Sequence, residues 1–143
     1  MYNRLLFVLL FSSFIYSKFI SLETAEKVAE HLIVSKGLES NHFHIESVFT
    51  QYDDTTPLFY IINIKETGFA IVAADDRVYP LLGYSFNHYY SDDNHPIQFS
   101  DMLEFFKKQI IYVINNNIEQ DDKVKQKWDL YLSEYNPIQV QNV

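Results

Sequence analysis

Cysteine is absent from the 143-residue chain, and glycine and basic residues are scarce. The lack of cysteine excludes a thiol nucleophile, a disulfide framework, thiolate metal sites and a lipid-modified N-terminal cysteine. The three glycines stand far apart, at positions 37, 68 and 83, so the chain has no glycine cluster for a phosphate loop or an oxyanion nest. Lys and Arg number 11 against 19 Asp and Glu, and the net charge of -8 argues against a nucleic acid partner.

Apolar side chains are abundant. Hydrophobic residues make up 48% of the chain and aromatic residues 17%, so the composition is that of a folded protein rather than a disordered one. The length suits a single core, because domains usually occupy about 100 to 200 residues. We therefore expect one domain.

The first 17 residues have the pattern of an export signal. One basic residue, Arg4, precedes an apolar run over residues 5–11, and a cleavage site is predicted after Ser17. The run is short for a bilayer, which needs about 20 apolar residues, although an uncleaved N-terminal anchor is the alternative. We expect a signal peptide over residues 1–17, a globular domain over 18–118, a short helix and tail over 119–143, and a secreted or periplasmic location.

Two amphipathic helices are predicted to enclose a run of short strands. A stripe of apolar residues at helical spacing begins after Ser21 and ends before Gly37, and a second begins near Ser100 and frays at residues 115–117. Strands are predicted over residues 43–48, 58–64, 69–74 and 78–85, the middle two forming a hairpin buried on both faces. A short third helix should pack through Trp128. This order predicts an α+β fold, a small antiparallel sheet of three to four strands packed with two main helices.

Catalytic and metal-binding patterns are weak in this sequence. Acidic pairs begin at residues 53, 75, 92 and 121, but none has the spacing of a calcium loop, and polar loops explain them better. His42 and His44, or His88 and His95, would bind zinc only with further ligands that the sequence does not indicate. We predict no catalytic residues, no metal and no cofactor.

The most distinctive local pattern is the stretch GFAIVAADDRVYPLLGYS, residues 68–85. It is an apolar strand, an acidic-basic turn and a second strand. Asp75 or Asp76 should accept turn N–H groups, Arg77 should pair with a carboxylate, and Gly83 should permit a close backbone approach before Tyr84. The residues that define this pattern are Phe69, Ile71, Val72, Asp75, Asp76, Arg77, Pro80, Leu82, Gly83, Tyr84 and Ser85.

Together with the preceding FYIINI, residues 59–64, this stretch resembles the propeptide of streptopain-family cysteine proteases and the related free-standing Spi-type inhibitors. The pattern of that family is F-Y-x-x-N, then G-F-x-I-V-[SA]-x-D-D-R, a proline, and L-G-Y-S. Downstream, Pro96, Leu103, Phe106 and the pair Gln109–Ile110 are similar to the family's second helix. The resemblance extends over about residues 20–135.

The resemblance implies an inhibitor rather than an enzyme. In the family this domain occupies or distorts the active-site cleft of the protease, so the implied partner is a streptopain-like cysteine protease, bound by a monomer. A free-standing inhibitor is favoured. The alternatives are the propeptide of a longer zymogen, and a secreted binding or adhesion module without a protease target.

The long connection over residues 86–99 is the predicted contact surface. It combines aromatic residues with hydrogen-bonding ones, a mixture that is common at protein interfaces. Within it we favour an extended segment held by Pro96. The predicted contact residues are Asn94, His95, Pro96, Ile97, Gln98 and Phe99. The alternative is that the aromatic side chains only fix the connection onto the second helix, in which case the exposed face of that helix around Phe105 and Lys108 is the contact surface.

Overall fold

The computed structural model describes residues 19–38 and 43–133. In chain order the elements are α1 (Leu22–Ser35), β1 (Ile45–Asp53), β2 (Thr56–Ile64), β3 (Gly68–Ala73), β4 (Leu81–Ser85), α2 (Ile97–Asn115) and α3 (Asp122–Leu132). The predicted α+β class is confirmed. The predicted leader and most of the C-terminal tail lie outside the described residues, so export stays a prediction.

The four strands form one antiparallel sheet in the order β1-β2-β3-β4. The predicted hairpin is β2 and β3, in which Ile61 lies opposite Ile71, and both strands are buried on both faces. The first strand was predicted too short. It continues to Asp53 and forms a second hairpin with β2, whose turn places Asp54 at a φ of 49°. An Asp tolerates this left-handed conformation better than most residues. The acidic pair at residues 53 and 54 thus ends β1 and begins the turn.

Helices cover both faces of the sheet. On one face α1 and α3 pack against alternate residues of the central strands, among them Tyr60, Ile62 and Val72. On the other face α2 packs through Leu103 and Ile110 against Phe59, Ile61 and Ile71. Successive strand residues point to opposite faces, and this alternation explains why the two central strands are apolar almost throughout.

Helix α1 has the predicted ends. The Ser21 hydroxyl accepts a hydrogen bond from the Thr24 N–H at 3.2 Å, and Gly37, just beyond the helix, has a φ of 84°. An N-cap serine and a left-handed glycine satisfy backbone groups that the helix leaves open. The buried face of α1 consists of Ala25, Val28, Ala29, Leu32 and Ile33, and Leu22 is only partly buried.

Helix α2 begins earlier than predicted, at Ile97 instead of near Ser100. Pro96 is its N-cap residue, with a φ of -61° and a ψ of 150°, and its carbonyl accepts hydrogen bonds from the N–H groups of Phe99 and Ser100. Asp101 therefore lies beyond the first turn, whereas a start near Ser100 would place it within that turn. The helix ends at Asn115 as predicted, with Asn117 at a φ of 47°.

Helix α3 packs through Trp128 as predicted, and the side chain is buried. Its indole Nε1 donates to the carbonyl of Val78 at 2.9 Å, and Gln120, before the helix, donates to the carbonyl of Asp76 at 2.6 Å. Both contacts hold the turn between β3 and β4. Across residues 19–38 and 43–133, none of the helices has the length and apolar character needed to span a bilayer.

Candidate functional site

The connection between β4 and α2, residues 86–96, is fastened at Tyr90. Tyr90 is the one buried residue of this connection, with 7% of its surface exposed, while its neighbours Tyr89 and Ser91 are exposed. The side-chain amide of Asn63, on β2, holds the Tyr90 backbone: its Oδ1 accepts from the Tyr90 N–H, and its Nδ2 donates to the Tyr90 carbonyl, both at 2.9 Å. The middle of the connection is thus fixed to a central strand.

Aromatic rings surround the Tyr90 side chain. His95 stacks on it with ring centroids 5.5 Å apart, Phe49 meets it edge-on at 5.0 Å, and Phe99 lies 5.8 Å away. Phe69, from β3, contacts Phe99 edge-on at 5.7 Å. Offset and edge-to-face pairs of this kind each contribute about 0.5 to 1.5 kcal/mol beyond the burial of their area. The cluster ties the connection to the sheet and to the first turn of α2.

Hydrogen bonds within the connection restrict it further. The Tyr90 hydroxyl donates to Asp92, and the Tyr89 hydroxyl accepts from the backbone N–H of Glu66 in the β2–β3 turn. The pKa of Tyr90 is raised, first because burial disfavours the charged phenolate and then because the hydroxyl donates to Asp92. Nδ1 of His95 lies 2.9 Å from the Ser91 carbonyl. The bond to Asp92 favours the protonated Tyr90 hydroxyl, and the three bonds together restrict the backbone conformation of the connection.

A pocket of about 610 Å³ opens between the end of β4, this connection and the start of α2. Its lining is mostly apolar. The residues that line it are Phe69, Tyr84, Ser85, His88, Tyr89, Tyr90, Asn94, His95, Pro96, Gln98, Phe99 and Met102. Five of the six predicted contact residues thus surround one pocket. The sixth, Ile97, lies outside the lining with 67% of its surface exposed.

The segment over residues 94–99 differs in shape from the prediction. An extended segment was expected, but Ile97, Gln98 and Phe99 form the first turn of α2, because Pro96 is the N-cap of the helix instead of continuing the loop. The segment forms a rim, in which His95 and Phe99 are partly buried against Tyr90. Aromatic rings thus fix the connection onto α2, as in the alternative considered from the sequence, but Asn94, Pro96, Ile97 and Gln98 remain exposed.

The acidic-basic turn of the distinctive motif is a buried ion pair. The Asp75 carboxylate accepts three hydrogen bonds from Arg77: from the backbone N–H at 3.0 Å, from Nε at 2.8 Å and from Nη2 at 2.6 Å. Both side chains are about 7% exposed, and the hydrogen bond to Asp75 raises the pKa of Arg77. The predicted pairing of Arg77 with a carboxylate is confirmed, and its effect is to shape the turn that leads into β4. Pro80 is buried immediately before this edge strand.

The close backbone approach predicted at Gly83 is found at Gly68 instead. A Cβ added at Gly83 would meet only Ile71 Cδ1 at 3.6 Å, an ordinary contact. Gly68 has a φ of 142°, and a Cβ there would lie 2.0 Å from the carbonyl oxygen of Ser85. Gly68 therefore lets β3 and β4 approach each other next to Phe69 and Ser85, two residues of the pocket.

Asn63 is the site residue to which the sequence analysis assigned no role. It belonged to the F-Y-x-x-N pattern, and its signal was visible: it is the one amide in an otherwise apolar buried run. A buried polar side chain needs hydrogen-bond partners, and these identify what the strand holds. Within residues 19–38 and 43–133, no three His, Asp or Glu side chains are grouped closely enough to hold a metal ion.

Comparison with known proteins identifies a family for the chain. The sequence profile of the Spi protease inhibitor family matches residues 17–110, well over half of the chain. The chain therefore belongs to the Spi protease inhibitor family, and an inhibitor role with a protease as partner follows from that membership. The matched residues include the sheet, the Asn63 contact and the whole pocket lining. No curated protein and no solved structure is significantly similar to the chain.

Proposed function

We propose that this protein is a non-enzymatic inhibitor of a streptopain-like cysteine protease, and that it blocks the active-site cleft with the rim formed by residues 94–99. The observation that carries the proposal is the arrangement of this rim. Exposed side chains project from a backbone that Tyr90, Phe99 and the Asn63 amide hold in place. Family membership supports the inhibitor role, and the motif over residues 68–85 supports the streptopain-like target.

The rim suits a protease cleft for a physical reason. Binding costs free energy when flexible side chains and loops become ordered, and a segment that is already held pays less of this cost. Ile97 is a large apolar side chain with 67% of its surface exposed, beside the polar side chains of Asn94 and Gln98. An apolar anchor with polar neighbours is the usual composition of an energetically important contact.

The test is titration of a streptopain-type protease with the purified protein in a peptide-hydrolysis assay. We expect stoichiometric inhibition and no hydrolysis by the protein alone. A triple variant, Asn94→Ala with Ile97→Ser and Gln98→Ala, removes exposed rim side chains and leaves the His95 stack and the Pro96 cap intact. It should weaken inhibition at least tenfold, about 1.4 kcal/mol, at unchanged thermal stability.

Two comparison variants make this test specific. Tyr52→Ser removes an exposed aromatic side chain near the β1–β2 turn, at the opposite end of β1 from the Asn63 contact, and should leave inhibition unchanged. Phe105→Ser alters the outer face of α2, where 56% of the Phe105 surface is exposed. Loss of inhibition in Phe105→Ser but not in the triple variant would move the contact surface to α2. Absence of inhibition by the unaltered protein at tens of micromolar would overturn the proposal for that protease.

A further inference from the structure

Asn63 is buried in a strand that is otherwise apolar, with 4% of its surface exposed. Burying an amide costs free energy unless its polar atoms find partners. Here each of them does. Besides the two bonds to the Tyr90 backbone, Nδ2 also donates to the Ser47 hydroxyl on β1 at 2.9 Å. Asn63 therefore links the β1–β2 ladder to a connection that is 27 residues further along the chain.

The two bonds to Tyr90 resemble a short piece of sheet pairing. A residue in a surface loop usually exchanges its N–H and carbonyl bonds with water, whereas those of Tyr90 are both taken up by one side chain. The next residues, 91–94, are exposed, and residue 95 stacks back onto the Tyr90 ring. The position of the rim thus depends on where Tyr90 is held.

The packing of the sheet does not depend on this contact in the same way. Ile62 and Ile64 pack under α1, and Ile61 packs under α2 in a cluster that includes the Tyr90 ring; the Asn63 amide belongs to neither cluster. Removing the amide should therefore release the connection while the sheet and helices stay folded. An effect on the rim would be separable from an effect on the fold.

We propose that Asn63 is a positioning residue for inhibition. Its two hydrogen bonds to the Tyr90 backbone hold the rim, residues 94–99, in the conformation that the protease binds. This inference rests on the proposed function. If the rim is held correctly in only a fraction of molecules, the apparent affinity falls by that fraction. The loss then appears mainly in the association rate, because complexes that do form are the same.

The test uses Asn63→Ala in the full chain, with Ser47→Ala as the matched control. Ser47→Ala removes the third hydrogen bond of the same amide without touching Tyr90. In the free protein, we expect Asn63→Ala to abolish hydrogen-exchange protection of the Tyr90 amide and to leave that of Ile71, in β3, intact. Inhibition should weaken at least tenfold through slower association, with the dissociation rate nearly unchanged. Ser47→Ala should change each quantity less than twofold.

A second variant at the same position controls for misfolding of Asn63→Ala. Asn63→Thr introduces a β-branched residue that suits a strand but cannot bond both polar groups of Tyr90. It should reproduce the slower association. A Tyr90 amide that stays protected in both variants would overturn the inference, and so would inhibition equal to that of the unaltered protein after protection is lost. In both cases the unaltered protein still inhibits, and the proposed function stands. If the unaltered protein does not inhibit, both proposals fail together.

Discussion

Gly68 is the position where we expect the smallest substitution to do the most damage. Gly68→Ala adds one methyl group at the start of β3. The residue has a φ of 142°, a region essentially restricted to glycine, where other residues carry about 1 to 3 kcal/mol of strain. The new Cβ would also lie 2.0 Å from the Ser85 carbonyl oxygen, 2.9 Å from the carbonyl carbon and 3.0 Å from Phe86 Cα. All three are backbone atoms, so rotation of a side chain cannot relieve the overlap.

The strand pair must therefore separate at this end. Phe69 lies opposite Ser85 in the β3–β4 register, and both residues line the pocket. With backbone strain and weakened pairing together, we expect Gly68→Ala to lower the free energy of unfolding by at least about 3 kcal/mol. Domains of this size have about 5 to 15 kcal/mol in total, so the variant should fold only marginally.

Gly37 provides the matched control. It also has a positive φ, 84°, but an added Cβ would meet no atom of the described residues within 4 Å. Gly37→Ala therefore isolates the cost of the left-handed backbone, about 1 kcal/mol. The two substitutions are chemically identical, so their difference measures the clash at Gly68 together with any greater backbone strain there.

The assay is urea unfolding followed by circular dichroism. With a slope of about 2 kcal/mol/M, a loss of 3 kcal/mol moves the unfolding midpoint down by roughly 1.5 M, and Gly37→Ala by about a third of that. A Gly68→Ala midpoint no lower than that of Gly37→Ala would refute the reasoning. It would show that β3 and β4 are not packed this closely beside the pocket.

Two further predictions concern the core and the helices. Ile71→Asp places an unpaired charge in a central strand where Ile71 is fully buried, and should lower the free energy of unfolding by at least about 3 kcal/mol. Ile97→Asp, at a residue 67% exposed, should lower it by less than about 0.5 kcal/mol. Equal melting temperatures of the two variants would contradict the burial of Ile71. Partial burial beside Tyr131 lowers the pKa of His31 from its usual 6.5, so the unfolded chain takes up this proton at higher pH than the folded one. Stability should therefore fall as the pH drops below about 6.5 toward the lowered folded-state pKa, and His31→Gln should flatten that part of the pH profile; parallel profiles would exclude His31 as the cause.

Local patterns along the chain were sufficient to predict most of the elements. Helical spacing of apolar residues predicted α1 and α2, the N-cap serine and Gly37 predicted the ends of α1, and two apolar runs around a polar turn predicted the central hairpin. These features depend on neighbours within a few residues, so they are readable from a single sequence. The motif over residues 68–85 also predicted membership of the Spi-type inhibitor family, and the family profile confirmed it.

The start of α2 was misplaced because two local rules competed. Proline was taken to extend a loop, whereas its fixed φ equally suits the residue before a helix, and Phe99 packing against Phe69 and Tyr90 favours the helical choice. The local sequence does not decide between a continued loop and a helix start at Pro96. The contacts of Phe99 with the sheet and with Tyr90 decide it, and only the folded chain supplies them.

The site itself depended on tertiary structure. Five of the six predicted contact residues line one pocket, and their role in binding stays a prediction. What holds them in place comes from far along the chain: Asn63 reaches Tyr90, and Gly68 meets Ser85. A sequence shows that an amide is buried or that a glycine is present; it does not show which backbone lies against them. That choice is made when strands pair and loops close over them, because hydrogen bonds and steric overlap act between atoms that only the fold brings together.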